Sequence, residues 1–408
     1  MVSQAELLQE VSGAERLSNE FMAQTVAQIG RSMVHDAARI KPGQRVLLSY
    51  DAPGLPLVRH LHDNCIDLGA NVQFFKRDLE RDVREIPLLD EAGIEEYISR
   101  EAGLIRESDV VIFVRGPEDP SIIGNLPKDK ASIYFRALKD AQKPLVEGVV
   151  DRTLFMWPTK YEAAIEGMTY EEYFRVVAEA CDQPWLEIKA AQAKLIEKLN
   201  GGKILEFVAN SEDPDETRRT KLTMSIEGMT FANSTAYKNY PGSEVFSAPV
   251  RNSVNGQMFA EGEYEYNGKR MRNIRFKIKA GQIVSASAEE GNEGLQEILD
   301  RDEGARYFGE IAIGTNKGLK KRLFNPLLNE KVGGSFHAAA GYAYGLKEYD
   351  GEQVKVDNGN RSINHWDITI LMHPNTGGGR IILDGEVIQE NGTFVDPDLA
   401  ILNPDYSE

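Results

Sequence analysis

An imidazole and a carboxylate stand two residues apart at His365 and Asp367, inside the apolar run Asn364-His-Trp-Asp-Ile-Thr-Ile-Leu-Met372. If that run is a strand, alternate side chains share a face, so His365 and Asp367 point one way while Trp366 and Ile368 point the other. A histidine and an aspartate side by side on a rigid strand supply two ligands for a divalent metal. Three more candidates, Glu244, Glu310 and His337, lie in the same half of the chain.

Each of these has a plainer reading. Glu244, in Tyr240-Pro-Gly-Ser-Glu-Val-Phe-Ser-Ala-Pro249, taken alone reads as an exposed loop glutamate. Glu310 is a charge within the otherwise apolar Tyr307-Phe-Gly-Glu-Ile-Ala-Ile-Gly314. A buried ionised carboxylate is costly unless paired or metal-bound, which tilts Glu310 toward function; a solvent-facing strand position is the alternative. His337 is surrounded by small residues in Gly333-Gly-Ser-Phe-His-Ala-Ala-Ala-Gly-Tyr-Ala-Tyr344, as where backbone packs closely around something else. A lone histidine there is more often a hydrogen-bonded structural residue. Tyr344 follows seven residues later, on the same face as His337 if the segment is helical. His373, beside Pro374, reads as a loop residue, and His35, His60 and His62 as structural residues on helices.

The ligand inventory separates two chemistries. His337, His365 and Asp367 alone make a two-His-one-carboxylate triad, the preference of mononuclear non-haem iron. Glu244 and Glu310 add more carboxylate than one iron needs. Carboxylates bridge, and two cations about 3.5–4 Å apart activate water for hydrolysis, so the extra glutamates favour a dinuclear centre. No HExxH, P-loop, GxSxG or dinucleotide GxGxxG signature occurs.

The elements that must position these residues divide the chain in two. In the first half, Arg45–Tyr50, Asn71–Phe75, Asp109–Val114 and Pro144–Val150 read as strands, with helical stretches at Leu57–Leu68 and Ile133–Ala141. Strands alternating with helices imply crossovers and a mainly parallel sheet. Residues 161–199 read as helical, and Gly201-Gly202 as the domain boundary, giving an α/β domain at 1–200 and an α+β metal-binding catalytic domain at 201–408. Beyond the boundary, Lys221–Ile226, Glu263–Asn267 and Asn273–Lys279 alternate between glycine turns, as antiparallel strands with one wet face do. A helix is expected from Glu293 to about Phe308.

The bulk properties narrow the class. At 408 residues two domains are expected, and 41% hydrophobic with 27% charged residues fits a globular protein. A net charge of -17 disfavours a phosphate-backbone partner, so no nucleic acid is expected. Two cysteines, Cys65 and Cys181, without a CxxC pair, argue against disulfides or a thiolate zinc site and fit the cytoplasm. No run reaches the length of a membrane span, and the N-terminus lacks signal-peptide character.

At these residues the chain resembles the metal-dependent aminopeptidases of the aminopeptidase T and aminopeptidase S family. The similar blocks are Asn239–Phe246, Asp302–Gly314, Ser335–Tyr344 and Asn364–Asp367, closed by Asp384-Gly-Glu386 and Asn391-Gly-Thr-Phe394. They keep family order and spacing from about Leu222 to Phe394, whereas the N-terminal half matches loosely. The resemblance implies that Glu244, Glu310, His337, His365 and Asp367 bind two divalent ions (zinc, cobalt, manganese or magnesium). It places Tyr344 at the metal or the reaction centre. It also implies a homodimer whose active sites face an internal cavity. Departures at Tyr240, Ser243 and the His373–Gly379 turn leave the ligands intact and bear on substrate preference.

The activity so implied is hydrolytic removal of the N-terminal residue from peptides with a free N-terminus. Glu310 is the candidate bridging ligand or general base, and Tyr344 the candidate hydrogen-bond donor to a developing oxyanion. Two rivals use the same residues. A mononuclear non-haem iron ring-cleaving dioxygenase of the same fold needs one metal and makes Glu244 and Glu310 dispensable. A metal-dependent binding protein would hold peptides without cleaving them.

Overall fold

The computed structural model describes residues 3–13 and 19–407. The chain divides into two compact units, one of residues up to Cys181 plus Ala236–Pro241, the other of Asp182–Thr235 plus the remainder from Gly242.

In the first unit a five-stranded sheet runs in the order Asn71–Arg77, Arg45–Asp51, Val110–Arg115, Asp151–Met156 and Lys238–Tyr240, with every pairing parallel. The Arg45–Asp51 and Val110–Arg115 strands are buried almost throughout, as a parallel sheet covered on both faces requires. The crossover helices include Leu55–Asp67, Glu91–Glu107 and Lys128–Ala141.

Two local expectations for this half are corrected. Pro144–Val150 is not a strand: Pro144 opens a helical turn, Lys143–Val146, where its missing N–H is harmless. Gly148 at φ +71° then turns the chain, Val146 and Val149 stay exposed, and the strand proper is Asp151–Met156. The boundary expected at Gly201-Gly202 also shifts. Helix Trp185–Gly201 belongs to the second unit, where its buried Gln192 bonds the Glu244 carbonyl, and Lys238–Tyr240 returns to the first unit as its last strand.

The second unit contains two antiparallel sheets. One has eight strands and includes Ile204–Ala209, Thr220–Ser225, Asn255–Tyr266, Lys269–Lys279 and Gln282–Glu290. The other has five, in the order His365–Leu371, Ser335–Gly341, Phe308–Gly314, Glu244–Ser247 and Ala232–Ser234. The expected architecture, a parallel α/β half followed by a largely antiparallel α+β half, is therefore present. The helix expected over 293–308 ends early, at Leu299. A 3-10 turn, Glu303–Arg306, capped by the Asp302 carboxylate, follows it, and Phe308 already begins a strand.

Register fixes which side chains share a face of the five-stranded sheet. Asp367 lies opposite Ala339, which lies opposite Glu310; His337 lies opposite Ala312, and Ala312 opposite Phe246. Glu244 pairs with Gly314, and His365 with Gly341. Directly paired residues, and residues two apart on one strand, point the same way. One face therefore carries Glu244, Glu310, His337, His365 and Asp367 among Ala312, Ala339 and two glycines, whose small side chains leave room for a polar cluster. The opposite face carries Phe336, Trp366, Ile313 and Ile368. It packs on the eight-stranded sheet, with Phe336 stacked on Phe207 at 4.3 Å and Trp366 edge-on to Phe276 at 6.5 Å.

Among the described residues no helix is long and apolar enough to cross a membrane.

Candidate metal centre

All five expected ligands converge. Glu244, Glu310 and His337 offer ligand atoms within 4.8 Å of one another, and so do Glu310, His365 and Asp367. Glu310 belongs to both groups. Its Oε1 is 3.3 Å from His337 Nε2 and its Oε2 is 3.7 Å from His365 Nε2, so each oxygen faces a different imidazole. Glu244 Oε2 lies 3.6 Å from His337 Nε2, and Asp367 Oδ1 lies 3.5 Å from His365 Nε2.

The plainer readings of single residues give way here. Glu244 is on a strand and 5% exposed, not in an open loop, and Glu310 at 6% does not face solvent. His337 is fully buried on the Ser335–Gly341 strand, so the helical relation to Tyr344 does not hold. Tyr344 lies beyond the strand end, and its ring packs 4.5 Å from that of His365. His373 lies outside the strands but is buried, hydrogen-bonded to the Gly333 carbonyl at 2.7 Å, and stays out of the cluster; burial pushes its pKa down.

The donor set fits divalent cations. Glu244 Oε2 and Asp367 Oδ1 are buried without a hydrogen-bond partner, an unfavourable state unless a cation satisfies them. His337 Nδ1 is also without a partner, and nothing in the structure accounts for it. His365 Nδ1 lies 2.8 Å from the Tyr342 carbonyl; donating its proton there leaves Nε2 with a free lone pair toward Glu310 and Asp367. In a tetrahedral site with bonds of about 2.0–2.1 Å, ligand atoms sit about 3.3 Å apart, close to the observed spacings.

Electrostatics point the same way. Burial alone would depress the His337 pKa, but its hydrogen bond to Glu310 and the charges of Asp367 and Glu244 raise it to about 9. His365 is raised too, burial being outweighed by Asp367 and Glu310. Burial raises Asp367 to about 7 against the pull of His365, and raises Glu244 against the pull of Lys331. Protons are held where positive charge is short, the pattern of a cation site.

Sequence reading passed over several supporting residues. Lys331 is fully buried, its Nζ 2.5 Å from Glu244 Oε1 and 2.8 Å from Glu330 Oε2. Burial would raise the Glu330 pKa, yet the charges of Lys331 and His337 bring it down, so Glu330 is ionised beside the cluster. With both imidazoles neutral, the carboxylates of Glu244, Glu310, Glu330 and Asp367 against one ammonium leave three negative charges. Buried Gln192 donates to Thr315 Oγ1 at 2.8 Å and to the Glu244 carbonyl at 3.2 Å, fastening that strand from behind. The signal for Gln192 was its place within the apolar stripe of Ile188, Leu195 and Leu199 on helix Trp185–Gly201. A register shift between Phe308 and Glu310 marks a bulge at Gly309, where a Cβ would come within 2.2 Å of the Tyr342 carbonyl oxygen.

The profile of a family described as thermophilic metalloprotease (M29) matches residues 22–394. Aminopeptidase T of Thermus thermophilus is 28% identical over 392 residues, 87% of this chain and 92% of its own length. Aminopeptidase 2 of Geobacillus stearothermophilus is 26% identical over 343 residues, 75% of this chain and 80% of its own length. The solved structure of wild-type AmpT from Thermus thermophilus aligns with a TM-score of 0.73 and 23% identity, covering 91% of this chain and 99% of its own; at that identity the likeness is one of fold.

Proposed function

The chain belongs to the thermophilic metalloprotease (M29) family, a metal-dependent class, and on that premise we propose that it is an aminopeptidase removing the N-terminal residue of peptides at a dinuclear centre. Glu244, Glu310 and His337 would hold one divalent ion, and Glu310, His365 and Asp367 the other, whether zinc, cobalt, manganese or magnesium. The observation that carries the reading is the orientation of Glu310, whose two oxygens face two different imidazoles. The aminopeptidase names of the relatives support the exopeptidase assignment.

Two divalent ions in such a site supply a lowered pKa for water and Lewis-acid polarisation of the scissile carbonyl. The chain's own part is positioning and proton placement. Glu310, with its two oxygens turned toward different imidazoles, would hold both ions. The Tyr342 carbonyl holds the Nδ1 proton of His365 and so keeps Nε2 as a base toward the centre. Tyr344, 40% exposed against the His365 ring, offers its hydroxyl to the oxyanion that develops when the carbonyl is attacked.

The iron dioxygenase alternative leaves Glu244 and Glu310 idle, and their burial beside His337 counts against it. Metal analysis of purified protein, combined with leucine p-nitroanilide hydrolysis before and after chelation, tests the proposal. Two divalent ions per chain and chelator-sensitive release of nitroaniline are expected; one iron per chain, or metal-loaded protein without hydrolysis, would overturn it. The homodimer implied by the resemblance and the cytoplasmic location expected from the cysteine usage belong to the same proposal. Light scattering at twice the chain mass and fractionation of the source cells check them.

A further inference from the structure

Lys331 is fully buried and is placed by its own backbone, its N–H bonded to the Leu328 carbonyl at 3.1 Å and its carbonyl accepting from Asn316 N–H at 2.9 Å. Its ammonium reaches Glu244 Oε1 at 2.5 Å and Glu330 Oε2 at 2.8 Å. A desolvated ammonium is strongly unfavourable without such partners, so the two carboxylates explain why it is tolerated; they do not explain what it is for. The answer lies in the oxygen it leaves alone. With Oε1 engaged, Glu244 presents only Oε2 beside His337, and that atom is buried without a hydrogen bond. The Glu244 main chain is fixed independently, through its carbonyl, by Gln192. Among the described residues the other two carboxylates of the cluster have no such restraint: Glu310 and Asp367 form ion pairs with histidines only.

We propose that Lys331 is a positioning residue for one half of the metal centre, fixing Glu244 through Oε1 so that Oε2 alone faces the half-site shared with His337 and Glu310. It sets the affinity of that half-site and leaves the half formed by His365 and Asp367 unaffected. The proposal rests on the two-ion reading above. It is asymmetric, and that makes it separable from a role in folding.

The test is a zinc titration of metal-free, full-length protein by calorimetry, repeated with cobalt while following d–d absorption, on wild type, Lys331→Met and Lys331→Gln. Loss of an outer partner of a metal ligand typically weakens binding by about 10- to 100-fold. In Lys331→Met one of the two ions should weaken by that factor and one component of the cobalt spectrum should change, while the other ion keeps its affinity. Lys331→Gln, which retains a donor, should fall between. Two wild-type affinities in Lys331→Met overturn the proposal. Equal weakening of both ions, or loss of the fold in both variants, assigns Lys331 a role in folding and also overturns it. A wild-type protein that takes up a single ion refutes the two-ion reading instead.

Discussion

Glu310→Gln isolates the charge of the shared carboxylate while preserving its shape. Both Glu310 oxygens lie within 4 Å of an imidazole nitrogen, at 3.3 and 3.7 Å, and the residue is 6% exposed. Removing one negative charge about 4 Å from a cationic charge forfeits about 4 kcal/mol at an effective dielectric of about 20. That is about a thousandfold in occupancy, taking about 1.4 kcal/mol per factor of ten. Because Glu310 serves both half-sites, both ions should be lost at micromolar metal, and with them hydrolysis of leucine p-nitroanilide. The fold should survive, since the amide fills the same volume. At neutral pH the metal-free variant should nevertheless melt below metal-free wild type, because the buried His337 imidazolium loses the Glu310 carboxylate that holds its proton. A variant keeping two ions and more than about a tenth of wild-type kcat would refute the sharing of Glu310, because the electrostatic argument leaves no room for so small an effect.

Tyr344→Phe should lower kcat about 10²-fold through loss of one oxyanion donor, with metal content unchanged; a change in KM alone would argue for a binding role. The metal-free protein should lose stability as pH rises from about 6.5 to about 9. His337 has its folded pKa raised from 6.5 to about 9, so its contribution is complete below 6.5 and gone above 9; Asp367, raised from 3.8 to about 7, acts in the same direction over about pH 4 to 7. Melting temperature against pH, with chelator and with zinc, checks this; metal should flatten the dependence, and a metal-free curve rising over that range would contradict it. Phe336→Ala should cost about 3–5 kcal/mol of unfolding free energy, because the ring is fully buried and stacked on Phe207. Denaturant melts of the two proteins measure it.

What the sequence disclosed follows from where periodic patterns and ligand chemistry coincide. His365 and Asp367 were legible because alternation along a strand fixes their common face, and Glu310 because a charge inside an apolar strand demands an explanation. Lys331 was not, because a lysine reads as solvated until the packing around it is known, and Gln192 was passed over although it stands in the buried stripe of Ile188, Leu195 and Leu199 on its helix. The three-residue strand Lys238–Tyr240 carries too little pattern to reveal that the chain returns to its first unit. The apolar stretch Pro144–Val150 misled for the opposite reason, since Leu145 and Val150 are buried around a helical turn rather than along a strand, and Val146 and Val149 stay in water. Tyr344 was placed at the centre by the family resemblance; its conditional helical spacing from His337 does not exist. It arrives by the path of a loop, which periodicity cannot encode.

The bulge at Gly309 links backbone shape to imidazole chemistry. The absent methyl group lets the Tyr342 carbonyl come close enough to Gly309 that a Cβ there would sit 2.2 Å from its oxygen, the same oxygen that receives the His365 Nδ1 proton. Gly309→Ala would displace that acceptor and release the ring to adopt its other tautomer, with the proton on the nitrogen that faces Glu310 and Asp367. The prototropic state of a histidine is thus decided on another strand, by a residue with no side chain to contribute.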